Sequence, residues 1–133
     1  MTVAESIEAN GRVLAFIIRA EAEASKTTFV TAPDMLFQAG FIVHPAGHII
    51  PRHRHPPTRR EAVGTSEALL VRRGRCRAEF FDDGGTPVAT RELVPGDVMV
   101  LLSGGHGFKM LEDTVLLEIK QGPYVAAAAK EQF

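Results

Sequence analysis

The feature that most constrains this chain is its punctuation. From Glu67 onward every apolar or alternating run stops at a turn signal. Glu67–Val71 ends on Arg72-Arg73-Gly74, Arg75–Phe81 on Asp82-Asp83-Gly84-Gly85, Val88–Val94 on Pro95-Gly96, and Val98–Leu102 on Ser103-Gly104-Gly105. His106–Leu111 ends on Glu112-Asp113 and Thr114–Lys120 on Gly122-Pro123. Runs this short suit strands, and turns this frequent join them antiparallel. Within Arg75–Phe81, Cys76, Ala78 and Phe80 share one face and Arg75, Arg77 and Glu79 the other, as expected where one side of a sheet is buried.

The first half continues the pattern less cleanly. Val13–Ile18 is a six-residue apolar run, and Thr27–Thr31 is rich in β-branched residues. Leu36–His44 is apolar on both parities, with Gln38 its one polar interruption, which predicts a strand covered on two sides. Pro45-Ala46-Gly47 reads as a turn and His48–His55 as the strand after it, whereas Met1–Asn10 reads as a polar lead-in. Val125–Lys130 suits one or two helical turns or a tail. Nine or ten short strands in 133 residues predict a single all-β domain, an antiparallel sandwich or barrel.

The chemistry concentrates at His53-Arg54-His55. In a strand, alternate side chains lie on one face about 7 Å apart, a spacing at which two imidazoles can share a metal. Glu67 shares parity with Leu69 and Val71, so it is buried if that face is interior, and a buried carboxylate needs a partner. His106 sits among Gly104, Gly105 and Gly107 and is the only histidine after position 55.

Gly47, His53, His55, Glu67 and Gly74, followed by Pro95-Gly96-Asp97, an apolar run and His106, resemble the two motifs of the cupin superfamily. The resemblance covers about residues 35–123. It implies a double-stranded β-helix, or jelly-roll barrel, with residues 1–34 as N-terminal strands and 124–133 as a tail. It also implies a metal held by His53, His55, Glu67 and His106. Eleven residues separate His55 from Glu67, so Pro56–Ser66 is an insertion relative to the family, long enough to be functional. The segments Ser103–Phe108 and Leu117–Tyr124 are similar to those of small bacterial single-domain cupins of uncharacterised function. They are more loosely similar to cupin metalloproteins found with surface-polysaccharide enzymes.

Three imidazoles and a carboxylate suit one divalent transition metal, and Fe, Mn, Ni, Co and Zn are not distinguished by such a set. Each residue also has a plainer reading. In it His53 and His55 are surface histidines in a polar loop, Glu67 a solvated residue at a strand start, and His106 a turn histidine bonded to backbone. His44 and His48 flank the turn and match no ligand position.

Net charge is −1, which gives no overall electrostatic pull on nucleic acid. Eight of the eleven arginines nevertheless fall between residues 52 and 77. A solvated face or a subunit contact accounts for most of them. Arg59 and Arg60, on the loop beside the motif, are candidates to clamp an anionic substrate. Gln38 and Phe108 are further pocket candidates. The lone Cys76 excludes an internal disulfide, and with no long apolar stretch the chain is expected to be cytoplasmic, bound to no membrane.

The function expected from the resemblance is a metal-binding protein, an isomerase, epimerase or dioxygenase acting on a small anionic or sugar-like molecule. Glu61 and Glu67 are the only acids near the motif, so no separate base stands out. A non-catalytic ligand-sensing barrel and a metal-free sugar-nucleotide isomerase using histidine as acid and base are the alternatives. The resemblance also implies a homodimer.

Overall fold

Asn10-Gly11 is the dipeptide that best tolerates two successive positive φ angles, and it takes φ of 54° and 74°. It joins β1 (Glu5–Ala9) to β2 (Arg12–Ile18) as an antiparallel hairpin, so the polar lead-in is a strand. The structure is a computed structural model describing residues 3–126 and 129–133. Part of the Val125–Lys130 segment therefore lies outside the described residues.

Ten strands form among the described residues, all paired antiparallel. β3 (Thr28–Phe29) and β4 (Gly40–Phe41) pair only with each other. The remaining strands are β5 (Glu67–Arg73), β6 (Cys76–Phe81), β7 (Pro87–Leu93), β8 (Val98–Leu101), β9 (Gly105–Met110) and β10 (Val115–Lys120). They complete a five-stranded sheet in the order β1-β2-β8-β5-β10 and a three-stranded sheet in the order β7-β6-β9.

The alternation read from the sequence explains how these sheets meet. Ala15, Ile17, Leu69, Val71, Met99 and Leu101 of the larger sheet form one core with Cys76, Ala78, Phe80 and Leu93 of the smaller one. Arg77 and Glu79, on the other parity of β6, stay partly or fully exposed. Burying these side chains is the main favourable term holding the sheets face to face, at about 25 cal/mol per Å² of apolar surface.

Along one side the sandwich is tied by charge. Arg91 on β7 reaches Glu5 on β1 through its Nε and Nη2 at 2.9 to 3.1 Å, one guanidinium gripping one carboxylate across the two sheets. The opposite side is formed by β9 and β10, each of which pairs with one neighbour only among the described residues.

Two expected strands are not formed. Leu36–His44 keeps only Gly40–Phe41, and Leu36 and Ile42 are exposed rather than covered. The cause is local: the Gln38 amide donates to the carbonyls of Ala32 and Met35, both at 2.8 Å, and so closes residues 31–39 into a loop. Residues 42–66 contain no strand at all, and every residue from 44 to 65 is exposed. No helix among the described residues is long and apolar enough to cross a membrane.

Candidate functional site

On β9 the residues opposite Phe80, Ala78 and Cys76 are His106, Phe108 and Met110. Directly opposed residues share a face of the sheet. Because Phe80, Ala78 and Cys76 point into the core, these three lie on the core-side face as well, Phe108 half-buried and His106 and Met110 exposed at the free edge. On β10 the residues opposite Glu67, Leu69 and Val71 are Lys120, Glu118 and Leu116, which likewise lie on the core-side face, Leu116 half-buried and the two charged residues exposed at the edge. The open side of the sandwich is thus a mouth, apolar at one end and charged at the other.

At the charged end Glu67 Oε1 lies 2.9 Å from His106 Nε2, linking the larger sheet to the smaller. Lys120 Nζ stands 3.9 Å from Glu67 Oε2 and 3.2 Å from Glu118. Glu67 is 8% exposed, as its parity with Leu69 and Val71 requires. A carboxylate so buried is costly unless partnered, and His106 and Lys120 provide that. The hydrogen-bonding contact with His106 holds the Glu67 carboxyl below its ordinary value despite the opposing effect of burial, with Glu118 and Lys120 adding to it. Glu118 in turn holds the Lys120 ammonium above its ordinary value.

The other expected ligands lie elsewhere. His53 and His55 are exposed on the strandless tract, their rings edge to face with centroids 5.3 Å apart, and His53 Nδ1 is 2.8 Å from the Pro51 carbonyl. Among the described residues no three His, Cys, Asp or Glu side chains gather as a metal-ligating group. The donor pair Glu67 and His106, with an ammonium beside it, falls short of the three or four protein ligands a resident transition metal takes. Within one chain the residues present do not fit a metal.

The remaining candidates divide. Phe108 lines the mouth, its ring 5.6 Å from that of His106. Gln38 is engaged by the 31–39 loop, where its Oε1 also accepts from the Thr31 hydroxyl at 3.0 Å. Arg59 and Arg60 are exposed on the tract and enter no ion pair among the described residues. His44 and His48 stack at 3.9 Å across their turn. An open hollow of about 420 Å³ beside Ala62, Thr65 and Gln121 holds none of the charged residues of the mouth.

Lys120 and Glu118 escaped the sequence reading. Their signal was two charges on one parity of an otherwise apolar strand, Leu116, Glu118 and Lys120 against Val115, Leu117 and Ile119.

No family model, no curated protein and no solved structure matches this chain.

Proposed function

We propose that this all-β chain is a cupin-type double-stranded β-helix protein whose chemistry is centred on the mouth between β9 and β10. Its function in this reading is to bind one divalent transition metal and act on a small anionic or sugar-like molecule. The observation that carries it is the Glu67–His106 contact at 2.9 Å, an inward carboxylate and an inward imidazole brought from different sheets to one point. These two are half of a ligand set that His53 and His55 would complete. A metal held there would supply Lewis-acid or oxygen chemistry.

The chain's own residues have separable roles. Glu67 fixes the orientation of the His106 ring by engaging Nε2. Lys120 sets positive charge where an anionic substrate would enter, and Phe108 and Met110 give the mouth an apolar wall. Arg59 and Arg60 would reach an anion only if the strandless tract closed over the mouth.

A second reading has a specific observation behind it. The imidazole and carboxylate already meet in one chain, which is the arrangement of a general base with its orienting acid. In that case the protein is a metal-free isomerase.

Elemental analysis of chelator-free protein decides first. The metal reading expects about one transition metal per chain in the wild type and none in Glu67→Ala or His106→Ala. A wild type that takes up none of Fe, Mn, Ni, Co or Zn overturns it. Turnover of sugars, keto acids or phenols that survives chelation selects the acid–base reading.

A further inference from the structure

The chain carries two incomplete halves of one structure. One half is the free edge of β9, whose neighbour on its far side is missing among the described residues. The other is the strandless tract, which holds Ile42, Ile49, Ile50 and Val63 in solvent at 54 to 88% exposure. Four exposed aliphatic side chains in a single tract are a surface in want of a partner, and so is an unpaired strand edge. We propose that two copies of this chain exchange these tracts, each laying residues 48–55 antiparallel along β9 of the other and carrying His53 and His55 to the other copy's Glu67 and His106.

The register follows from parity. In an extended 48–55 segment Ile49, Pro51, His53 and His55 share a face, while Ile50, Arg52 and Arg54 share the opposite one. The inward residues of β9 are His106, Phe108 and Met110. Antiparallel pairing that puts Ile49 opposite Met110 also puts Pro51 opposite Phe108 and His53 opposite His106. Apolar residues meet apolar ones, and the imidazoles converge at the charged end of the mouth. Shifting the segment by one residue sends both histidines outward and Arg52 and Arg54 inward, so the register is strongly specified. Pro51 has no N–H to donate to the ladder, which an added edge strand tolerates.

Charge favours a second copy over an unrelated occupant. Residues 42–66 contain Arg52, Arg54, Arg59 and Arg60 and a single acid, Glu61, a charge of +3, so with −1 for the whole chain the rest carries −4. A basic tract therefore faces an acidic body of its own kind, and one two-fold operation satisfies both exchanges. Turning the tract back onto its own chain is the competing outcome, and it leaves a monomer. Completion of a metal site rests on the reading given above, whereas the exchange itself does not.

The test has two arms. Light scattering on full-length protein should give twice the 14.4 kDa chain mass. Ile49→Glu combined with Ile50→Glu, both at exposed positions, should give a folded monomer whose far-ultraviolet spectrum loses only the strand contributed by residues 48–55. A monomeric wild type, or a dimer indifferent to these changes, overturns the exchange.

In the second arm, a His53→Ala/His55→Ala copy and a Glu67→Ala/His106→Ala copy are co-expressed with two different non-histidine tags. The mixed dimer is purified and dialysed against Co(II). Exchange pairs the intact tract of the second copy with the intact mouth of the first, giving about one Co(II) per mixed dimer and none in either parent. No metal in the mixed dimer beside a metal-binding wild type places the site within one chain and overturns the proposal. A wild type that binds no Co(II) removes the metal reading and leaves the exchange to be decided by mass alone.

Discussion

Asp97→Asn should be among the most destabilising substitutions in the chain that leave side-chain volume unchanged. Asp97 is fully buried, and its carboxylate is shared by three donors, two from consecutive residues just after β2 and one from its own turn. Oδ1 accepts from the Ala20 amide at 2.8 Å, and Oδ2 from the Val94 amide at 2.9 Å and Arg19 Nη1 at 3.1 Å. It thereby pins the end of β2 to the Pro95-Gly96 turn, where the Asp97 N–H donates to the Val94 carbonyl and Gly96 takes φ of 94°. An asparagine amide keeps the Ala20 bond but turns an NH2 group towards the Val94 N–H and the Arg19 guanidinium, donor against donor.

Breaking one side of a buried charged pair costs about 3–5 kcal/mol. Because Arg19 is partly solvated and can swing out, the lower part of that range, about 3–4 kcal/mol, applies. Against a total stability of about 5–15 kcal/mol this is a large fraction. With a urea m-value of about 2 kcal/mol per M, the midpoint should fall by ~1.5–2 M. Far-ultraviolet circular dichroism is the probe of choice, since the chain has no tryptophan. A midpoint within about 0.5 M of wild type would mean that Asp97 is not the clamp between β2 and the turn.

Three further outcomes are expected. Gly74→Ala should lower stability by about 2–5 kcal/mol in the same assay, because φ is 89° there and an added Cβ would lie 2.2 Å from the Asp113 carbonyl oxygen; a loss under 1 kcal/mol would contradict that close approach. Cys76, fully buried with its thiol pushed up first by burial and then by the Asp97 charge, should stay unmodified by a thiol reagent in native protein and react in urea; rapid native labelling would place it outside the core. Arg91 holds the Glu5 carboxyl below its ordinary value, so their pairing stabilises the fold above the unfolded carboxylate pKa and is lost as pH falls through the lower folded value. Glu5→Gln should therefore cost at most about 1 kcal/mol at pH 7 and nothing once acid has protonated Glu5, and a cost that grows on acidification would reverse that sign.

The strands from β5 to β10 were legible because each carries its own evidence, a short apolar or alternating run closed by Gly, Pro or Asp. The same parity placed Glu67 inside. β1 was missed because its polar residues masked the Asn10-Gly11 turn, whose positive φ pair is a hairpin signal whatever flanks it. Leu36–His44 was misread because an apolar run without alternation does not distinguish a doubly covered strand from a loop, and the Gln38 bonds that make it a loop are side-chain to backbone. His48–His55 has the parity of a strand, but a strand exists only when an edge receives it. Pairing is a property of two segments, and the sequence of one does not name the other.

The two free edges are not equivalent, and the difference bears on how the mouth works. β10 turns Glu118 and Lys120 inward beside its edge, and inward charge is a device that discourages another strand from docking. β9 turns His106, Phe108 and Met110 inward instead, which an incoming strand with apolar and imidazole side chains can match. The charged residues that guard one edge are also those that partner Glu67, since Lys120 reaches both carboxylates. The buried acid and the guarded edge are therefore one arrangement. Removing Lys120 would at once deprive Glu67 of its ammonium partner and take a charge from the guarded edge.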